Sequence, residues 1–326
     1  MIAKTHLCQL GFGLGPAIFA ISVGAAATLG CTRKDDPAAP GASASAQATS
    51  APSAAATIPR PIPLTKEQIE KTVNPTNLPV YSGKTGAVRG TVTVKGDEAP
   101  LREEILRQIP DKCAPAREVY GKVFREGMMH SLADVLVTVT GYDGYLPARG
   151  AARLVEARGC AWDSRTLAVM FGQRVDVVSK DREAYLPDLI GGSMPAQLVV
   201  MPGKDPAQLY PMKVGRYGLA DSLHPFMFAD IFAIKFPTFA VTGLDGKYEI
   251  TGIPVGEVML NAVLPATMVT AEKKVTIEAD KTITVDLEIA FDKAKHMPQP
   301  FKPAADKTKD KDKGKGKGKS KLPIIQ

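Results

Sequence analysis

The chain has 326 residues, 44% hydrophobic and 6% aromatic, with 41 Lys and Arg against 34 Asp and Glu for a net charge of +7. Lys293 to Lys321 holds eleven Lys and three Asp, a balance of +8, so the basic character belongs to the C-terminal tail. The remainder is close to neutral, which excludes a strongly basic folded body and leaves length for one large domain or two small ones.

The first residues carry Lys4 and His6, then an apolar run from Leu7 to Gly30 that ends in Thr28-Leu29-Gly30-Cys31. A charged start, an apolar stretch and a small residue before the cut make an export signal. The run is also long enough to span a bilayer, since ~20 apolar residues suffice, but its Gly and Ala content suits a cleaved signal better. It resembles a lipoprotein signal with its lipobox, which implies acylation of the Cys31 thiol and cleavage after residue 30. The box here is shifted, with Thr28 where Leu is usual and Leu29 one place later. Thr32 follows the cysteine, and by resemblance to lipoproteins of diderm bacteria this implies sorting to the outer membrane, facing the periplasm or the cell surface.

Residues 31–64 are rich in Ala, Ser, Pro and Thr. Such a stretch cannot bury enough surface to offset its ordering entropy and is expected to be a disordered tether. Thr65 to Val73 reads as a short helix, capped by Thr65 and stopped before Pro75. A second helical stretch is expected over Pro100–Gln108, from the spacing of Leu101, Ile105 and Leu106. Strand-length runs follow at Ala87–Val94, Val135–Thr140, Leu167–Phe171, Val175–Val178, Leu198–Met201, Phe228–Ile234, Tyr248–Ile250, Val258–Leu264, Val275–Ile277 and Ile283–Ile289. Clean alternation in V-R-G-T-V-T-V and I-T-V-D-L-E-I, with Gly, Pro and Asp-Gly punctuation, predicts an all-β sandwich.

Cysteine usage agrees with export. Cys8 leaves with the signal and Cys31 takes the lipid, so Cys113 and Cys160 remain as an even pair. In an oxidising compartment such a pair reads as a disulfide, the alternative being two buried free thiols. Closing its loop of 46 intervening residues is worth ~3–4 kcal/mol in the chain-entropy model.

From Gly159 the chain reads G-C-A-W, F-G-Q-R-V-D-V-V-S-K-D, S-L-H-P-F-M-F-A-D-I-F-A-I and F-P-T-F-A-V-T-G-L-D-G-K-Y-E-I-T-G-I-P-V-G-E-V. This order resembles the exported cupredoxin-like proteins often labelled methylamine-utilisation proteins. Their G-Q-x-V strand, Asn-x-Asp turn, His, and Cys-x-x-His-Pro-Trp-Met segment lead into a D-G-x-Y…P-x-G hairpin like that of carboxypeptidase regulatory-like domains. The resemblance runs from about Gly86 to Ile289. It implies a cupredoxin-like Greek-key β-sandwich over 65–235, packed with a smaller regulatory-like β unit over 236–292, and a disordered tail over 293–326.

The resemblance also marks where copper ligands would stand. A blue-copper site needs a thiolate, two imidazoles and a weak axial thioether. Ser179-Lys180-Asp181 matches the turn, which puts Tyr185 at the first His position; Asp221 stands at the Cys position; His224 and Met227 are kept. The thiolate and one imidazole are therefore lost. Other metal sets remain open: Tyr185 and Asp221 with His224, or His130 with Met128 and Met129, whose soft thioethers suit Cu(I). Against these, a His before Pro is usually structural, and a Met pair near a strand is usually core. Trp162, the sole Trp, is expected to pack near the disulfide, which leaves little for glycan stacking.

An enzyme is disfavoured on inventory. The body holds only His130 and His224, and no G-x-S-x-G, H-E-x-x-H or phosphate-binding Gly-rich loop. A carboxylate-pair hydrolase would need acids such as Glu156, Asp188 and Asp230 to converge. The expected function is a non-catalytic, membrane-tethered β-sandwich with a degenerate copper site, acting as an interaction or envelope-structure module, with no cofactor. The alternatives are a copper-binding or electron-transfer protein with a non-standard ligand set, and a carbohydrate- or cell-wall-binding module. The Lys-rich tail is a solvated segment or an attachment to an anionic envelope surface; no aromatic residue interleaves with its lysines, which argues against nucleic acid.

Overall fold

In the computed structural model the described residues are 64–192 and 199–296, together with 298 and 301. The signal, the tether, Cys31 and the lysine run from 302 onward lie outside them. Helix α1 spans Lys66–Val73, opened by a capping box in which Thr65 accepts from the Gln68 N–H and the Gln68 side chain accepts from the Thr65 N–H. Strand β1 spans Thr85–Gly96, followed by the single-turn α2, Glu103–Leu106, then α3, Ala114–Tyr120, and β2, Leu136–Thr140. The expected helix over 100–108 thus shrinks to one turn, because Pro100 and Pro110 bracket it closely.

Eight strands come next: β3 Ala152–Arg158, β4 Ala161–Trp162, β5 Thr166–Met170, β6 Arg174–Ser179, β7 Pro187–Ile190, β8 Ala207–Leu209, β9 Gly215–Asp221 and β10 Phe228–Ile234. They form two sheets, ordered β5-β10-β9-β7 and β4-β3-β6-β8. Two pairs are parallel, β3 with β6 and β5 with β10, so the chain crosses between sheets as well as turning back in the antiparallel pairs β3–β4 and β9–β10. The last six strands are β11 Phe239–Val241, β12 Lys247–Pro254, β13 Gly256–Leu264, β14 Val269–Ile277, β15 Thr282–Thr284 and β16 Leu287–Phe291. They do not form a unit alone. β1 pairs with β12, β15 and β16, and β2 lies between β11 and β13.

The all-β expectation holds, but the division at residues 235 and 236 is corrected. One sandwich is discontinuous, built from β1, β2 and β11–β16. The other, β3–β10, is inserted between β2 and β11. Sequence order hides this because β1 and its partner β12 stand about 150 residues apart in the chain. The expected strand over 283–289 also divides into β15 and β16, both pairing in parallel with β1. The C-terminal boundary at 293 moves too. The Lys293 N–H donates to Asp97 at 2.7 Å, and the ring of Phe301 lies 5.3 Å from that of Phe228 and 5.4 Å from the Arg216 guanidinium.

Alternation along the inner strands explains how the two sandwiches join. On β2, Val137 and Val139 face the core of the discontinuous sandwich, while Leu136 faces away. On β10, Ala229, Ile231 and Ala233 face the inserted core, while Phe232 and Ile234 face away. The residues facing away meet each other: Leu136, Val263, Ala168, Phe232 and Ile234 form a third core between the sandwiches. The inner strands of both sheets are therefore buried on two faces, which is why β5 is buried throughout and β2 up to Val139.

Two charged pairs fasten this junction. Arg125 forks onto Asp134 with two bonds of 2.6 Å, and Asp134 also accepts the Arg165 N–H at 2.9 Å, just before β5. Arg216 on β9 binds Asp230 at 2.7 Å and reaches across to the carbonyl of Pro265 at 3.0 Å. Burial tends to raise the Asp230 carboxyl above its ordinary value, with Arg216 acting against that shift. Asp134 sits at φ 63°, a left-handed backbone that Asn also accepts. We predict that Asp134→Asn, which keeps the shape and removes the charge, lowers unfolding free energy by ~3 kcal/mol, since breaking a buried pair leaves an uncompensated cation. Urea denaturation checks this, and a loss below ~1 kcal/mol would show that the pair does not hold the junction.

Candidate functional site

The residues marked by their sequence positions meet at one end of the inserted sandwich. Asp221 closes β9, His224 and Met227 lie in the connection to β10, and Tyr185 precedes β7. The ring of Tyr185 is 5.4 Å from that of His224, and both Tyr185 and Met227 are wholly buried. The Cys113–Cys160 disulfide is formed, with Cα atoms 5.4 Å apart. It joins the start of α3 to the turn between β3 and β4. Its two sulfurs and a ring nitrogen of His224 all lie within 4.8 Å of one another. Trp162 packs in the same core as both cysteines, as expected, with its ring 6.1 Å from Tyr185.

Asp221 is the structural centre of this end. Its Oδ2 accepts the Leu186 N–H at 2.6 Å. Its Oδ1 accepts the N–H groups of Leu223 at 3.0 Å and His224 at 2.8 Å, and bonds His224 Nδ1 at 2.9 Å. The carboxylate ties two loops together and fixes the histidine ring. Tyr185 is held in a parallel way. Its hydroxyl donates to Asp181 at 2.9 Å and accepts from the Cys160 N–H at 3.2 Å. Burial pushes the Tyr185 phenol up, and the Asp181 bond adds to that, so it stays protonated.

Asp181 carries a role that its place in the Ser179-Lys180-Asp181 turn does not reveal. Its Oδ2 also accepts the Gly159 N–H at 2.5 Å, and its Oδ1 accepts the Glu183 N–H at 3.0 Å. Partial burial works to raise its pKa, but the bonds from Gly159, Glu183, Tyr185 and Ser179 outweigh it and hold the carboxyl below its ordinary value. No local sequence signal shows that this Asp reaches back to the cysteine turn, 22 residues earlier.

A blue-copper centre does not fit these residues. The thiolate position holds a carboxylate committed to backbone N–H groups and to His224. The first imidazole position holds a protonated phenol that donates elsewhere. Met128 and Met129 prove not to be core: they are 88% and 90% exposed. Gly127 precedes them, and Met129 and His130 adopt left-handed backbone, φ 54° and 58°, so the turn projects outward. His130 Nδ1 there bonds Glu126 at 2.6 Å. The three acids singled out have separate surroundings. Glu156 pairs with Lys180 at 3.2 Å, Asp230 with Arg216, and Asp188 keeps one buried oxygen without a partner on β7. Trp162 is 1% exposed and offers no face for stacking.

No protein-family model and no curated protein matches the chain. Among solved structures it is similar to amicyanin from Paracoccus versutus, at 15% identity over 30% of this chain and 96% of that one, with a TM-score of 0.23. It is also similar to a copper-containing nitrite reductase from Thermus scotoductus SA-01, at 19% identity over 29% of this chain and 24% of that one, with a TM-score of 0.22. Scores at this level carry no argument about what the chain does.

Two expectations follow from this geometry. Asp181 has a depressed folded pKa, so its contribution is present above its unfolded value, near 3.9, and is lost as pH falls through the folded one. Asp181→Asn should therefore flatten the loss of stability between about pH 5 and pH 2, measured by urea unfolding at each pH; an unchanged acid limb would remove Asp181 from the account. Replacing both cysteines with Ala should cost ~3–4 kcal/mol by the loop-entropy argument, read as a lower urea midpoint with a steeper slope, because the unfolded chain is no longer cross-linked and exposes more surface.

Proposed function

We propose that the chain is an exported, lipid-anchored, non-catalytic β-sandwich protein of the bacterial envelope, acting as an interaction or structural module on a sandwich that has lost its copper site. One observation carries the reading. Asp221, at the position where a thiolate would hold copper, accepts three backbone N–H groups and bonds His224 Nδ1. A ligand position has become a loop clamp. The end of the sandwich where substrate or metal would enter is filled by Tyr185, Met227 and the disulfide. The apolar run ending at Cys31, followed by an Ala/Ser/Pro-rich stretch, supports export and tethering. The lysine-rich tail supports attraction to an anionic envelope surface, screened by salt.

Copper analysis of the full exported chain, with its disulfide intact, tests the reading. The expected result is no tightly held copper and no visible charge-transfer band after copper is added. One tightly bound copper per oxidised chain would overturn it, and so would turnover of a substrate lost in His224→Ala. Cys31→Ser should release the chain from the membrane fraction; retention there would remove the lipid tether.

A further inference from the structure

Asp221 and Tyr185 account for the loss of one metal site, but not for what stands beside His224. The sulfurs of Cys113 and Cys160 and a ring nitrogen of His224 converge within 4.8 Å, all three residues buried. Neither cysteine occupies a copper-ligand position of the resembling sandwich. Three donors of ligand type already stand at the span of a single ion, and a disulfide bond is what keeps two of them from ligating.

We propose that Cys113, Cys160 and His224 form a redox-gated Cu(I) site, closed while the disulfide is intact and open once it is reduced. The reductant is a dithiol. Two thiol–disulfide exchanges pass two electrons and two protons to the cysteines, and the dithiol leaves as its own disulfide. Cu(I) then displaces the two thiol protons and is held by two thiolates and the imidazole nitrogen. Two thiolates and an imidazole are a soft set, which selects Cu(I) or zinc. Zinc in structural sites takes four protein ligands, whereas three donors in a dry site suit Cu(I).

The surroundings favour such a gate. His224 Nδ1 is fixed by Asp221 at 2.9 Å, which leaves Nε2 as the ring nitrogen to ligate, and the carboxylate stands behind the ring as the outer hydrogen bonds of a metal-bound histidine do. Both cysteines are buried, yet Lys112 and Ala114 on either side of Cys113 are exposed, while Gly159 before Cys160 is half-buried and Ala161 after it is buried. The disulfide thus lies one residue beneath the surface on its Cys113 side, and a local opening there admits a reductant. Cys160 is held at φ 57° in the closed form, directly after Gly159 at φ 59°. A left-handed backbone is unfavourable for Cys, and after cleavage the bonds from Gly159 to Asp181 and from Cys160 to Tyr185 still hold this turn beside His224.

The test uses the full chain, reduced with a dithiol that is then removed without oxygen, and titrated with Cu(I) against a colorimetric Cu(I) chelator. The expected result is one Cu(I) per reduced chain, none for the oxidised chain, and none for Cys113→Ser/Cys160→Ser. His224→Ala should weaken binding by about tenfold or more, the scale at which ligand support acts. Equal uptake by the reduced parent and the double Ser variant overturns the proposal. So does unchanged affinity in His224→Ala, and so does binding that vanishes in Met128→Leu/Met129→Leu, which would place copper on the exposed turn. Circular dichroism accompanies each titration: a reduced chain that loses its fold and does not regain it with Cu(I) also overturns the site. The closed-state reading of function stands or falls separately, on the oxidised chain alone.

Discussion

The constraint on which this structure rests is that the inner strands β2, β5 and β10 of two sheets have no wet face. Placing the inserted sandwich on the discontinuous one buries the outer sides of β2, β13, β5 and β10 against each other. Charged groups along that seam must then find partners inside the protein. Asp134 and Asp230 meet that demand with Arg125 and Arg216, at bond lengths of 2.6 and 2.7 Å. The pairs do more than cancel charge. Asp134 accepts the backbone N–H that opens β5, and Arg216 reaches the Pro265 carbonyl of the other sandwich. The register between the sandwiches is thus set by directional bonds, while the apolar seam supplies the association.

The same topology places the disulfide. Cys113 lies in the segment between β1 and β2, two strands of the discontinuous sandwich. Helix α3, directly after it, packs instead into the inserted core through Ala116 and Tyr120. Joining Cys113 to Cys160 therefore staples the connecting segment to the inserted sandwich, at the end where His224 and Tyr185 lie. The Tyr120 hydroxyl reinforces this by accepting the Trp162 N–H at 2.9 Å. One end of the inserted sandwich carries the clamp, the staple and an aromatic chain from Tyr120 through Phe226 and His224 to Tyr185 and Trp162.

Much of the fold was legible where one face of a strand is wet. Alternation in β1 and β16 gave strand and facing together, and Phe228–Ile234, apolar except for Asp230, marked a strand buried on both sides. Legibility failed where partners are distant or side chains small. β9, G-R-Y-G-L-A-D, has two glycines and little apolar pattern, yet it sits inside a sheet because Gly218 leaves room for the rings of Phe228 and Phe301. The insertion was invisible, because nothing local in β1 states that its partners lie at 247–254 and 282–291. At the site, motif positions located Tyr185, Asp221, His224 and Met227. They did not show that the carboxylate at 221 would take over the loop's backbone bonds, nor that the disulfide would stand against the histidine.

Two carboxylates give this end of the inserted sandwich its shape. A metal organises loops by binding several of them at one point. Here two carboxylates divide that work. Asp221 joins the loop before β7 to the one after β9, and Asp181 joins the turn after β6 to the cysteine turn between β3 and β4. Each gathers three or more donors, one of them from a segment distant in sequence and the rest from its own loop, as a bound cation gathers acceptors. Carboxylates used in this way are committed to folding, and they leave His224 oriented but without a reaction partner of its own. The chemistry left open at this end therefore lies in the sulfur atoms beside that ring.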